Sequence, residues 1–255
     1  MLKRRTLRLW ALCLLPAALT LLAFVMLRPH VENWQADVPR TLVIMARNAL
    51  KGPVRVGIQV GHLDAHLHAD EHAELRWNTG GHWDGVDELD VNRSVALELE
   101  RLLGTAGIEV DLLPARMPVH YTADLVLSLH ADSVADPARN GYKSAYYEPA
   151  RNALDALLKE AVDSAYLAGS PLADDSLNTS SGMTGYYAFN PADRHAVNPR
   201  SPALLVELGY ISSPADRGFL LEPDRPAALL HEGITDYLVR MERLPPGAAT
   251  APGHY

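Results

Sequence analysis

The stretch "PALLVELGY", residues 202–210, is an apolar run that holds one carboxylate, Glu207. A short apolar run of this kind predicts a strand that is buried on both faces. Removal of an ionised carboxylate from water costs several kcal/mol unless a partner compensates for it. Glu207 is therefore expected to pair with an arginine, to face solvent at the end of the strand, or to act as a general base in an active site.

Strands and helices alternate along the rest of the chain, which indicates an α/β fold. With 255 residues, the chain suits one sizeable domain with appendages. The predicted fold is a single three-layer α/β domain at residues 54–243, with a mixed, mostly parallel sheet and helices on both faces. Further strands are predicted at residues 54–60, 108–113, 124–130 and 142–147, and helices at 91–107, 151–168 and 226–243.

The N-terminus resembles a membrane segment. Basic residues precede an uncharged stretch from Leu9 to Leu27, which is nearly long enough to cross a bilayer. The stretch is longer than the apolar part of a usual signal peptide and no small-residue cleavage site follows it, so an uncleaved anchor at residues 1–28 is favoured over a cleaved signal. The basic residues predict export of the body of the protein. Residues 29–53 are expected to be a juxtamembrane linker, and residues 244–255 a flexible tail.

The charge of the chain limits its partners. Five of the 23 basic residues lie in residues 1–28, which contain no acid, so the rest carries 18 basic and 31 acidic residues, a net charge of −13. This balance argues against nucleic acid as a partner and against binding of anionic polymers by bulk attraction. An anionic partner would need a local site. The single cysteine, Cys13, excludes a disulfide framework and a cysteine-based metal site.

Ionisable residues cluster at the predicted strand ends. His62, His130 and Glu207 lie at the ends of three strands, and Glu88 opens a helix that Asp87 is expected to cap. Sites in α/β sheets collect at the carboxyl ends of strands. Two imidazoles and a carboxylate are a common ligand set for catalytic zinc. Each residue alone also has a structural explanation, as a hydrogen-bonded histidine, a helix N-terminal acid or one partner of an ion pair.

Four motifs then occur in a fixed order: "VGH" at 60–62, "ELDVN" at 88–92, "LSLHAD" at 127–132 and "LLVELGYISSPAD" at 204–216. Over residues 54–240 the chain resembles the zinc-dependent N-acetylmuramoyl-L-alanine amidases, cell-wall hydrolases of the amidase-3 type. The resemblance implies that His62, Glu88 and His130 bind Zn²⁺ and that Glu207 is the catalytic carboxylate. The bond implied joins N-acetylmuramic acid to L-alanine in peptidoglycan, and the sequence leaves open whether an activator protein is needed.

The chain departs from the family pattern in two places. Gln59 stands where the family usually has an acid, and it is expected to orient His62. The stretch before His130 is short and is predicted to lack a helix. In "MTGYYAFNPADRHAVNPR", residues 183–200, the aromatic residues are expected to form another buried strand. Tyr187 and Arg194 are candidates for substrate binding.

Two other functions remain open. "HADE", residues 68–71, places His68 three residues before Glu71, a spacing seen in zinc carboxypeptidases, so a carboxypeptidase acting on stem peptides is one alternative. The histidines of residues 63–87 are otherwise expected to lie in a solvated loop. A tethered wall-binding module without catalysis is the other alternative, although all four implied active-site residues are present.

Overall fold

A computed structural model describes residues 48–246 of the chain. The predicted membrane anchor at 1–28, residues 29–47 of the predicted linker (29–53) and residues 247–255 of the predicted tail (244–255) lie outside the described residues. Among residues 48–246, no helix combines the length and the apolar composition that a bilayer span requires. The predicted boundaries of anchor, linker and tail therefore stay predictions.

A five-stranded sheet with the order β4-β1-β5-β7-β6 forms the centre of the domain. Strands β4, β1, β5 and β7 are parallel, and β6 is antiparallel to β7. The predicted α/β domain with a mostly parallel sheet is confirmed. The strands are β1 (Arg55–Val60), β2 (His82–Trp83), β3 (Val86–Asp87), β4 (Glu109–Leu113), β5 (Leu125–Asp132), β6 (Lys143–Ala145) and β7 (Ala203–Tyr210), with β2 and β3 forming a separate antiparallel pair.

The three long helices all contribute to one core, on one face of the sheet. They present apolar residues such as Leu99, Leu158 and Ile234 to alternate residues of β1, β5 and β7. Alternate side chains of a strand point to opposite faces of the sheet. The strand residues that point away from the long helices must therefore be covered by another part of the chain. Residues 48–51, at the start of the described range, are helical. The helices that follow are α1 (Glu88–Thr105), α2 (Leu154–Gly169), α3 (Ser181–Thr184), α4 (Pro214–Leu220) and α5 (Asp224–Arg240), with 3-10 helices at Ala65–Leu67, Asp70–Trp77, Ser176–Asn178 and Tyr187–Phe189.

The second face of the sheet differs from the prediction of helices on both faces. Val126 and Leu205 there pack against Met183, Phe189 and Val197, which belong to a segment with only short helices. Residues 114–124, between β4 and β5, contain no helix, as predicted, so no long helix from that connection covers this face. The predicted strand within residues 183–200 is wrong, because this segment forms α3 and a 3-10 helix.

Candidate active site

His62 and His130 meet at one edge of the sheet because β1 and β5 are parallel neighbours. The ladder continues past β1, where the Gly61 backbone N–H donates to the Leu129 carbonyl over 2.9 Å. His62 then takes a left-handed conformation, with φ of 67°. Positive φ is uncommon outside glycine and often marks a functional turn. This turn directs the His62 side chain back over the end of the sheet.

Glu88 brings a carboxylate to the two histidines. Its Oε1 lies 3.1 Å from His62 Nε2 and 3.1 Å from His130 Nδ1. Ligand atoms of the three residues all lie within 4.8 Å of one another. Glu88 is the first residue of α1, and its backbone N–H donates to the Gly81 carbonyl. The predicted Asp87 side-chain cap is wrong, because that carboxylate faces the ring of His82 instead.

Backbone and side-chain donors hold the Glu88 carboxylate in place. The Gly81 N–H donates to Oε2 over 2.8 Å, and Asn92, one helical turn after Glu88, donates to Oε1 over 3.3 Å. Burial alone would raise the pKa of Glu88, but hydrogen bonds with His130 and His62 outweigh it and hold that pKa well below its usual range. Glu88 is therefore an ionised, fixed carboxylate.

In each histidine, the ring nitrogen that faces away from Glu88 contacts an oxygen atom. His62 Nδ1 lies 2.9 Å from the Asn78 carbonyl, which can only accept a hydrogen bond. Nδ1 therefore carries the proton, and the lone pair of Nε2 points towards Glu88. His130 Nε2 lies 3.2 Å from the hydroxyl of Tyr186. Burial raises the pKa of Tyr186 to about 12, so its hydroxyl remains protonated.

Gln59 supports His130 rather than His62, so the predicted orientation of His62 by Gln59 is wrong. Its Oε1 accepts from Tyr186 over 3.0 Å and from Ser128 over 2.6 Å, while its Nε2 donates to the Ala115 carbonyl. Because side chains alternate along β1, Gln59 points to the sheet face that residues 183–197 cover. His130 is thus linked through Tyr186 to a buried amide.

The residues present fit a divalent cation. With Nδ1 of His62 protonated, its Nε2 lone pair faces a carboxylate oxygen at 3.1 Å, an arrangement that needs a proton or a cation between the two atoms. Burial alone would lower the pKa of His62, but the hydrogen bond and charge of Glu88 have the larger effect, and the pKa is raised. The space between His62 Nε2 and Glu88 therefore favours a positive charge. The 3.1 Å separations are close to the roughly 3.4 Å between ligands of a tetrahedral zinc ion with bonds of about 2.1 Å.

Two glycines keep the space around the three residues open. A Cβ atom at Gly61 would lie 2.5 Å from His130 Cε1, and one at Gly80 would lie 3.0 Å from Glu88 Oε2. Gly80 also has φ of 89°, a conformation that glycine adopts without strain. Any larger residue at Gly61 would displace the ring of His130.

Glu207 lies on β7 beside His130, and the two are register partners across the sheet. Its Oε2 is buried and has no hydrogen-bond partner within residues 48–246. Burial raises the pKa of Glu207 well above its ordinary value, the charges of Glu88 and Asp132 add to this, and Lys143 opposes it. The expectation of an arginine partner finds no support among the described residues.

A cleft of about 480 Å³ opens over the histidines. His62, His130, Tyr186 and Tyr187 line it, and the 3-10 segment that follows His62 forms its other wall. The Tyr187 hydroxyl donates to the Ala115 carbonyl over 2.7 Å. Glu207 lies beside the cleft rather than in its wall.

Arg194 lies outside this cleft, on the exposed side of a neighbouring one. His68 is buried against Tyr187, with ring centroids 5.1 Å apart, and Glu71 is exposed. Within residues 48–246, the His62–Glu88–His130 group is the one set of three possible ligands. The alternative metal site at His68 and Glu71 is therefore absent from the described part of the chain.

The family model for N-acetylmuramoyl-L-alanine amidase (amidase-3 type) matches residues 58–236. The chain belongs to this amidase family. Its activity is hydrolysis of an amide in peptidoglycan, and the family acts on the extracytoplasmic side of the membrane. No match is found among curated protein sequences.

Solved structures of amidases share the fold. N-acetylmuramoyl-L-alanine amidase AmiC2 of Nostoc punctiforme is 21% identical, with a TM-score of 0.52, over 73% of this chain and 98% of that chain. The catalytic domain of CwlV from Bacillus (Paenibacillus) polymyxa var. colistinus is 20% identical, with a TM-score of 0.52, over 72% and 98%. The apo form of Ami1 from Mycobacterium abscessus is 18% identical, with a TM-score of 0.55, over 72% and 98%.

Proposed function

We propose that this amidase uses Zn²⁺ to hydrolyse the amide between N-acetylmuramic acid and L-alanine. In this proposal His62, Glu88 and His130 hold the ion, and Glu207 is the catalytic carboxylate. The observation that carries it is the convergence of His62 Nε2, His130 Nδ1 and Glu88 Oε1, from three separate elements, within 4.8 Å of one another. Such scattered ligands are typical of catalytic zinc, whereas structural sites use closely spaced pairs.

When bound, zinc supplies a Lewis acid that polarises the scissile carbonyl and lowers the pKa of the attacking water. Glu207 takes the proton of that water and delivers it to the departing amine of L-alanine. Burial and the charges of Glu88 and Asp132 raise the pKa of Glu207, which makes its carboxylate a stronger base than a free one. The Oε2 of Glu207 has no hydrogen-bond partner within residues 48–246, so no described group competes for this carboxylate oxygen.

The surrounding residues fix the site. Asn78 and Tyr186 hold His62 and His130 in the tautomers that direct a lone pair towards Glu88. Tyr187, in the wall of the cleft, contacts the bound peptide. An ion of the same charge with a similar preference for nitrogen and oxygen would fit this ligand set too, so the choice of zinc is part of the proposal.

We further propose that residues 1–28 anchor the protein to the membrane, that residues 29–53 link the anchor to the catalytic domain at 54–243, and that the tail predicted at 244–255 is flexible except at its start, where Leu244 packs in the core. The domain would then act on the wall next to the membrane. The charge of the first 28 residues and the apolar stretch from Leu9 to Leu27 support this arrangement.

The test is product analysis. The full chain, purified in detergent, is incubated with peptidoglycan, and the released material is examined by mass spectrometry. We expect stem peptides that begin with a free L-alanine amine, which disappear with chelator, return with zinc and are absent for Glu207→Gln. Release of terminal amino acids alone would identify a carboxypeptidase, and no release by the folded, zinc-loaded protein would leave a binding module.

A further inference from the structure

A second cleft, which we call the arginine cleft, opens beside the candidate active site. It has a volume of about 530 Å³. Residues 66–71 line it together with Arg76, Arg116, Arg194 and His195. None of these residues belongs to the proposed metal centre, so the arginine cleft needs its own explanation.

The two clefts are contiguous. His68 lines both of them, and Ala115, in the wall of the first, immediately precedes Arg116 in the wall of the second. Tyr187 lies at the boundary, with its hydroxyl bonded to the Ala115 carbonyl and 3.5 Å from His68 Nε2. A peptide bound in the first cleft can therefore extend into the arginine cleft.

His195 orients the guanidinium of Arg116. His195 is 6% exposed, and its Nδ1 lies 2.9 Å from the Met117 carbonyl, to which it donates. Its Nε2 is then an acceptor, and it receives an N–H of Arg116 over 3.2 Å. A guanidinium has five N–H donors, so this bond fixes the group and leaves the other donors for a ligand. A buried histidine that is held by the Met117 carbonyl and contacts Arg116 through Nε2 acts as a support for that guanidinium.

The cleft carries positive charge that the described residues do not neutralise. Arg76 is paired with Asp70, but neither Arg116 nor Arg194 forms an ion pair within residues 48–246. Both are exposed, and Glu71 is the other acid in the wall. In a chain whose residues 29–255 carry a net charge of −13, two guanidinium groups without an ion pair among the described residues indicate a local site for an anion.

We propose that the arginine cleft binds a free carboxylate of the stem peptide, on the residue that follows L-alanine. Arg116 and Arg194 are the specificity-determining residues, and His195 is a positioning residue that acts through Arg116. The assignment rests on the proposed function, which places the amide of L-alanine beside His62 and His130. Planar guanidinium groups bind carboxylates through paired, charge-assisted hydrogen bonds, which distinguish a carboxylate from a carboxamide.

The experiment compares two ligands that differ at one group. N-acetylmuramyl-L-alanyl-D-glutamate has a free α-carboxylate, and N-acetylmuramyl-L-alanyl-D-isoglutamine has a carboxamide in its place. Each is titrated calorimetrically into the zinc-loaded full chain in detergent, with Glu207→Gln to prevent turnover. At low salt we expect the carboxylate ligand to bind about tenfold tighter, because charge-assisted hydrogen bonds in an open cleft are strong but screened.

The Arg116→Gln, Arg194→Gln double variant should reduce this preference to about one, with the Kd of the carboxamide ligand unchanged. His195→Gln should weaken the preference while Arg116 is present and have no further effect once Arg116→Gln is in place. Arg200→Gln removes an exposed guanidinium from a different cleft and should retain the tenfold preference. Both substituted arginines are exposed, so the double variant should fold.

Equal Kd values for the two ligands, no binding of either, or a preference that survives the double variant would each overturn the assignment. The binding ratio is measured without turnover, so it is separate from the proposed activity. If the preference depends on the arginines but the wild-type chain releases no L-alanine amine from peptidoglycan, the carboxylate site stands and the amidase proposal falls. If the amine is released but the ratio is one, the reverse holds.

Discussion

Replacement of Tyr186 by phenylalanine removes the hydroxyl that contacts His130 Nε2 at 3.2 Å and donates to Gln59 at 3.0 Å. Gln59 Oε1 keeps its bond from Ser128, so the loss in stability should be modest, about 1 kcal/mol. His130, however, loses the partner that fixes its tautomer. Loss of such a partner typically weakens metal binding by about 10- to 100-fold, which corresponds to about 1.4–2.8 kcal/mol.

The assay is competition for zinc between the protein and a chromogenic chelator at pH 7.5. Tyr187→Phe is the matched control, because its hydroxyl donates to the Ala115 backbone carbonyl and contacts none of the three proposed metal ligands. Both variants lose one buried hydroxyl, and urea unfolding of the metal-free proteins should give similar losses in stability. We expect weaker zinc binding for Tyr186→Phe alone. Equal zinc affinities in the two variants, or an unchanged affinity in Tyr186→Phe, would refute the role of Tyr186 as the support of His130.

Three further predictions concern the base, the space around the metal centre and a buried acid. Glu207→Gln should lower kcat by about 10²–10⁴-fold and leave the bound zinc, measured by atomic emission, unchanged; a loss of less than tenfold would contradict the assignment. Gly61→Ala places a methyl group 2.5 Å from His130 Cε1 and 2.6 Å from the Leu129 carbonyl oxygen, so it should cost about 1–3 kcal/mol in chemical denaturation and weaken zinc binding. Wild-type values in both assays would contradict the tight fit at Gly61. Burial would raise the pKa of Asp175, but Tyr210 and other partners lower it below the unfolded value of about 3.9, so Asp175→Asn should cost about 1–3 kcal/mol at pH 7. That cost should vanish as pH falls through the lowered pKa, and an equal cost at pH 7 and pH 2.5 in urea unfolding would contradict this linkage.

The sheet was predictable because its central strands are continuous apolar runs. Such runs predict strands buried on both faces, and the alternation with helices predicts their parallel arrangement. The same logic brings His62 and His130 together, because the carboxyl ends of neighbouring parallel strands meet at one edge. Glu88 was placed with them through the family motif rather than through any local rule.

The partners of the histidines were not predictable in the same way. Asn78 contacts His62 through its backbone carbonyl, which leaves no mark in the amino-acid sequence. Tyr186 reaches His130 from a segment whose aromatic pattern favoured a strand, and only the tertiary structure shows that it forms a turn and short helices. The position of Gln59 did carry a signal. Ile58 and Val60 face the core, so strand alternation directs Gln59 to the opposite face.

The measurement that tests the central claim most directly is the location of the metal in crystals of the zinc-loaded protein, by anomalous scattering at the zinc edge. The proposal predicts one strong peak within about 2.0–2.2 Å of His62 Nε2, His130 Nδ1 and Glu88 Oε1. In Glu88→Gln crystals prepared identically the peak should be weak or absent. A strong peak at His68 or His72, or full occupancy in Glu88→Gln, would contradict the account.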